Sequence, residues 1–270
     1  MNMKFDLRRV LAFGVLLLAL GTMSGCLDGV GVGSNSELEK AKKLIGEGHY
    51  EAALMRLNQI LAESPKDPEV HLNLAWLYLY TNDPEHAKLE LRRVEELAPG
   101  SAEIYHLRGA LLSYDAQHDP ENDQKAQEQL ELAVANFKKA LSKNPRNSQT
   151  YFDLAIALNA LNRSQEALVV LNKGFDYIPK SDLETQVNFQ IASCSAHINL
   201  GQFEEAIADC NQAAEFTENP ASKQRIADLI ENMRLLNPKE RAENAEAQPT
   251  PEQIQEAKEK NSIQTAGGTD

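Results

Sequence analysis

The chain is poor in the residues that announce many function classes. It has only three cysteines in 270 residues, too few for a disulfide scaffold. Lys and Arg number 27 against 40 Asp and Glu, a formal charge of −13, so no cationic surplus exists to neutralise nucleic-acid phosphates. Gly (14) and Pro (11) are too sparse for a collagenous or low-complexity chain. The apolar run at the N-terminus, Val10 to Leu20, is eleven residues, about half of what spans a bilayer. There is no P-loop, no Gly-rich dinucleotide fingerprint, no nucleophile elbow and no HExxH. The six histidines (His49, His71, His86, His106, His118 and His197) show no spacing that would place two metal ligands on one helical face. These absences point away from catalysis, from metal or cofactor binding, and from a small-molecule substrate.

What is present begins with a leader. Lys4, Arg8 and Arg9 precede the apolar run, and small residues follow it up to Met23-Ser24-Gly25-Cys26. This layout resembles the bacterial lipobox, with Met23 where Leu is usual. The resemblance implies a signal peptide over 1–25 and acylation of Cys26 (palmitate among the chains), a membrane anchor worth ~0.8 kcal/mol per buried CH₂. Leu27, rather than Asp, follows the Cys. By the same resemblance this favours the outer membrane, facing the periplasm, over the outer leaflet of the inner membrane. Residues 26–33 read as an acylated Cys and flexible tether, and no helical pattern is evident through 36.

From residue 34 a period organises the chain. Ala53 and Pro65, Ala87 and Pro99, Ala133 and Pro145, and Ala167 and Pro179 each lie twelve positions apart; a fifth unit has Ala206, with Glu218 where the Pro would fall and Pro220 two later. A small residue precedes each of these alanines on the partner helix: Ala41, Ala75, Gly109, Ala155 and Cys194. Short side chains at both places permit two helices to cross closely, and Pro stops the second helix. The pattern resembles the tetratricopeptide repeat, a 34-residue helix-turn-helix unit. It implies an all-α fold: a right-handed α-solenoid of units 34–67, 68–101, 102–147, 148–181 and 187–220, with a C-terminal capping helix over 221–236. Residues 237–270 hold three prolines, many Glu, Gln and Ala and no aromatic residue, and read as a disordered acidic tail.

Two units are longer than the period. The stretch 115–126 adds twelve residues to unit three; Asp119-Pro120 reads there as the start of a long second helix running to 143. His118 lies there among Asp115, Asp119, Glu121 and Asp123, but no Gly enforces a calcium-type turn and the segment reads as a solvated loop. Five residues, 182–186, precede unit five, where Ser181 and Glu184 read as a capping box. Cys194 and Cys210 occupy facing crossing positions of unit five. Two readings stay open for them, a disulfide permitted in the periplasm or two buried thiols.

In tetratricopeptide proteins the first helix of each unit lines a concave groove. That resemblance assigns Leu72, Trp76, Leu79 and Tyr80, then His106, Ala110 and Tyr114, then Phe152, Ile156 and Asn159, with Ile191, Ser195 and Ile198 in unit five. About half of them are expected to serve packing between repeats. The groove is apolar and aromatic and lacks the Lys and Asn clamp by which chaperone-binding members hold a C-terminal carboxylate. The implied function is a membrane-anchored, periplasm-facing scaffold that takes a helix or extended segment of an envelope or periplasmic protein. Narrower alternatives are a pilotin-like factor for a type IV pilus secretin, or an accessory subunit of an outer-membrane protein or peptidoglycan machine.

Overall fold

A computed structural model describes residues 32–118 and 123–236. The leader, Cys26, the Asp119-Pro120 start and the tail lie outside the described residues. Eleven helices run through the described chain, with no strand among them: α1 (Val32–Gly46), α2 (Tyr50–Glu63), α3 (Pro68–Tyr80), α4 (Pro84–Leu97), α5 (Ala102–His118), α6 (Asp123–Lys143), α7 (Ser148–Ala160), α8 (Ser164–Phe175), α9 (Leu183–Asn199), α10 (Phe203–Phe216) and α11 (Pro220–Leu236). None is long and apolar enough to cross a membrane.

Local chemistry sets the helix ends. Asp67, Asp83, Asn147 and Asp182 cap α3, α4, α7 and α9, each accepting a hydrogen bond from a backbone N–H in the first turn. Ser64 and Ala98, each just before a proline, are pushed off helical geometry (φ −133°, ψ 71° and φ −137°, ψ 63°), and α2 and α4 stop there. Within four units the turn between the two helices places one residue in the left-handed region: Gly48 (φ 76°), Asn82 (63°), Asn162 (60°) and Gly201 (71°). The N–H that follows each reaches back five residues, as in Asp83 to Tyr78 O and Arg163 to Leu158 O, both 2.8 Å. This double-bonded stop is the Schellman motif, and only Gly and Asn adopt its αL residue at small cost.

Helices pair as α1/α2, α3/α4, α5/α6, α7/α8 and α9/α10, each pair docking on the next, and α11 covers the last. The small residues meet at the crossings: Ala41, Ala53, Ala75, Ala87, Ala133, Ala167, Cys194 and Ala206 are wholly enclosed. A Cβ on Gly109 would come within 2.6 Å of the Phe137 ring, which is itself fully buried. The core runs along the stack and is filled by Leu57, Leu74, Leu107, Phe137, Leu158 and Phe189. Ile226 and Met233 of α11 close its end. This is a solenoid of helix-turn-helix repeats with a terminal cap.

The structure departs from expectation at three element ends. α1 begins at Val32, inside the stretch read as lacking helical pattern, because the buried stripe Leu38, Ala41 and Ile45 nucleates a helix that continues backward over Ser34 and Ser36. The insertion in unit three lengthens both helices: α5 continues through His118, so 115–118 are helical rather than loop, held by Asp115 on Lys88 (3.2 Å) and His118 stacked on Tyr114 (3.9 Å). The cap of α9 is Asp182, not Ser181; its carboxylate accepts from Thr185 N (3.1 Å) and Thr185 Oγ1 (2.7 Å), two bonds where Ser181 would offer one. Burial, with Asp182 beside it, pushes the Glu184 carboxyl above its ordinary range.

Two buried side-chain arrangements tie helices together. His71 (3 % exposed) places Nδ1 2.6 Å from Glu90 (5 %), and its Nε2 donates to the carbonyl of Pro65 at 3.0 Å; Arg93 holds the second Glu90 oxygen at 2.7 Å. In unit five, Cys194 and Cys210 form a disulfide between α9 and α10 with Cα atoms 5.7 Å apart.

Candidate functional site

Successive first helices pack against one another (α1 on α3, α3 on α5, α5 on α7, α7 on α9), a closeness that successive second helices do not reach. The stack therefore curves with the first helices on its inner side, and their free faces line a concave groove. α3 supplies its centre, because the sequence places Leu72, Trp76 and Tyr80 at four-residue intervals on one face.

Around Trp76 the aromatic groups form a connected cluster. Its ring stacks with Tyr80 (6.0 Å between centroids) and tilts against His106 of α5 (4.9 Å); Tyr80 stacks in turn with Tyr50 of α2 (6.3 Å). His106, only 5 % exposed, backs onto Phe137 (5.9 Å) and directs Nε2 at Asp153 Oδ2 of α7, 2.6 Å away. With the carboxylate ionised, Nε2 carries the proton and donates it. Gln149 Nε2 donates to the other oxygen of Asp153 at 3.1 Å. Burial, then Asp153 and Tyr50, push the Tyr80 hydroxyl well above its ordinary range, so it stays neutral and able to donate. Four consecutive units thus converge on one spot of the groove.

The remaining expected groove residues divide. Leu72 is half-buried and, like Trp76 and Ala110, packs against the core shared by α3, α4 and α5. Phe152 and Ile156 are half-buried farther along, Phe152 against Phe189 (5.5 Å). Tyr114 and Asn159 are buried and serve as fasteners between elements rather than open contacts: the Tyr114 hydroxyl donates to Asn82 in the α3–α4 turn, and Asn159 Oδ1 accepts from Ser164 Oγ (2.5 Å) and Asn199 Nδ2 (3.0 Å). Sequence reasoning missed Tyr50 and Asp153. Asp153 stands beside Phe152 on a helix with no Lys or Arg, a signal that could have singled it out.

Lys and Arg are scarce on the inner side. The first helices α3, α5, α7 and α9 contain a single Lys or Arg, Arg108, and it is bound to Glu95 of α4 at 2.5 Å. On α1, Lys42 lies between Glu39 (2.8 Å) and Glu69 (2.5 Å); burial works against its charge, but those two hydrogen bonds prevail and raise the ammonium above its ordinary range. Among the described residues no group of three or more His, Cys, Asp or Glu is arranged to hold a metal ion.

The same repeat is recognised by comparison. Tetratricopeptide repeat models match residues 44–111, 125–184 and 186–220. Among solved structures, the thermophilic TPR protein TTC0263 of Thermus thermophilus superposes with a TM-score of 0.63 at 21 % identity, over 72 % of this chain and 97 % of that one. The Pseudomonas aeruginosa pilF structure superposes with a TM-score of 0.53 at 16 % identity, over 84 % of this chain and 97 % of that one. No curated protein matches in sequence. At such identities the structural likeness speaks for the fold, and the repeat models covering more than half of the sequence carry the assignment: the chain belongs to the tetratricopeptide repeat family.

Proposed function

We propose that the chain is a scaffold anchored by acylated Cys26, facing the periplasm, whose concave groove holds a helix or extended segment of a partner protein in an envelope assembly. The observation that carries the groove reading is the pair Trp76 and Tyr80, aromatic rings left half-open on the inner side of a stack of repeats and backed by the buried His106. Aromatic side chains in a preformed concavity are the usual anchors of a protein interface, since they bury large area at little entropic cost. The anchor reading rests on the basic start, the apolar run and Cys26, and the outer-membrane assignment on Leu27.

In-cell crosslinking from the groove tests the first half. Trp76→Ala with Tyr80→Ala should abolish the crosslinked partner while helicity is unchanged; the same crosslink at undiminished yield overturns it. For the second half, Cys26→Ser should move the chain from the membrane to the soluble fraction and remove incorporated acyl label. Retention of both refutes the anchor.

A further inference from the structure

The groove has a charge signature as well as an aromatic one. On the four inner helices α3, α5, α7 and α9 the one Lys or Arg, Arg108, is bonded to α4, while carboxylates stand at Glu69, Glu103, Asp115, Asp153 and Glu184, Asp115 being held by Lys88 of α4. Glu69 is occupied by Lys42. Glu103, one turn before His106 on α5, makes no ion pair among the described residues, and Asp153 is held by neutral donors or a histidine and keeps a side chain 22 % exposed. On α1 the three lysines are each paired, Lys40 with Glu37, Lys42 with Glu39 and Glu69, and Lys43 with Glu47; other cations stand on the second helices, such as Lys88, Arg92 and Arg93 on α4 and Lys138, Lys139 and Lys143 on α6.

Resting on the groove reading above, we infer that the occupant is a basic apolar segment, one that carries Lys or Arg beside its apolar anchors. The half-open Trp76 ring offers a π face to a cation, with Asp153 two contacts away through His106 and Glu103 one turn along the same helix. An acidic segment meets these carboxylates while the inner cations Lys42 and Arg108 are already paired, and like charges across an interface oppose docking.

The test uses the full chain and its own probe. Trp76 is the only tryptophan, so intrinsic fluorescence reports occupation of the groove directly. Two synthetic amphipathic helices share one Leu and Phe pattern; in one all polar positions are Lys, in the other Glu. The Lys peptide should bind at least about tenfold tighter, about 1.4 kcal/mol. That preference should shrink in Asp153→Asn and in Glu103→Gln, and in high salt, which screens exposed charges. Two variants at separate sites keep the outcome readable if one fails to fold. Equal binding of both peptides, or a preference that neither variant alters, overturns the inference and leaves the groove reading standing. If neither peptide perturbs Trp76 or binds by calorimetry, both readings fall.

Discussion

Breaking the Cys194–Cys210 bond measures how the array unfolds, because the crosslink lies at one end of it. The two residues are 16 positions apart, wholly enclosed, and join α9 to α10. In the chain-entropy model such a loop contributes about 3 kcal/mol at 25 °C. Cys194 Sγ also lies 4.0 Å from Met233 Sδ of α11, so the crosslink backs the cap as well. If the stack melts as one block, it belongs to the size class in which about 3 kcal/mol lowers Tm by roughly 6–12 °C in a single transition. Solenoid repeats touch only their neighbours, so the loss can instead fall on α9 to α11 alone. A block that small shifts by roughly 4–8 °C per kcal/mol and should melt roughly 12–24 °C below the oxidised protein, as a separate first transition. Circular-dichroism melts of the oxidised protein and of Cys194→Ala with Cys210→Ala distinguish the two regimes. Hydrogen exchange should locate the early loss in α9, α10 and α11. A Tm within about 1 °C of the oxidised value refutes the entropic argument, and alkylation of both thiols under denaturing, non-reducing conditions refutes the bond.

Other positions give sharper local tests. Asn162→Ala should cost about 1–2 kcal/mol in urea unfolding, whereas Asn162→Gly should be neutral or slightly stabilising, since only the αL backbone distinguishes them. Gly109→Ala should cost about 1–3 kcal/mol, because its Cβ would strike a Phe137 ring that has no free space to move into. Glu90→Ala should cost about 3–5 kcal/mol by leaving the buried His71 without its partner, while the half-exposed Arg93 can turn to water; Arg163→Ala, which breaks bonds to the more exposed Glu131 and Glu166, should cost less than about 1 kcal/mol. Equal losses for Glu90→Ala and Arg163→Ala would show that burial does not govern these pairs.

The repeat was legible because its two constraints are steric and local. A small residue where helices cross and a proline where one must stop each leave a mark at fixed spacing, so Ala87 and Pro99 predict Ala167 and Pro179. Helix ends were less legible where rival caps lie side by side: Ser181 and Asp182 are both good N-caps, and only the two bonds Asp182 makes to Thr185 choose between them. The continuation of α5 to His118 depends on Lys88, 27 residues before Asp115, and on a ring contact with Tyr114. In the groove the regular spacing of Leu72, Trp76 and Tyr80 was visible. The pairing of His106 with Asp153, 47 residues away, was not, because periodicity says which face a residue occupies and nothing about which polar group it meets there.

The contact of each first helix with the next has a mechanical consequence. A curved stack bends where its members are farthest apart, so flexing opens or closes the spaces among α2, α4, α6, α8 and α10 while the inner helices act as a hinge line of nearly fixed length. Anchor points such as Leu72, Trp76 and Phe152 therefore keep their mutual spacing as the array breathes. A segment seated along them would ride on the neutral axis of a spring, held at constant pitch while the outer helices take up the strain.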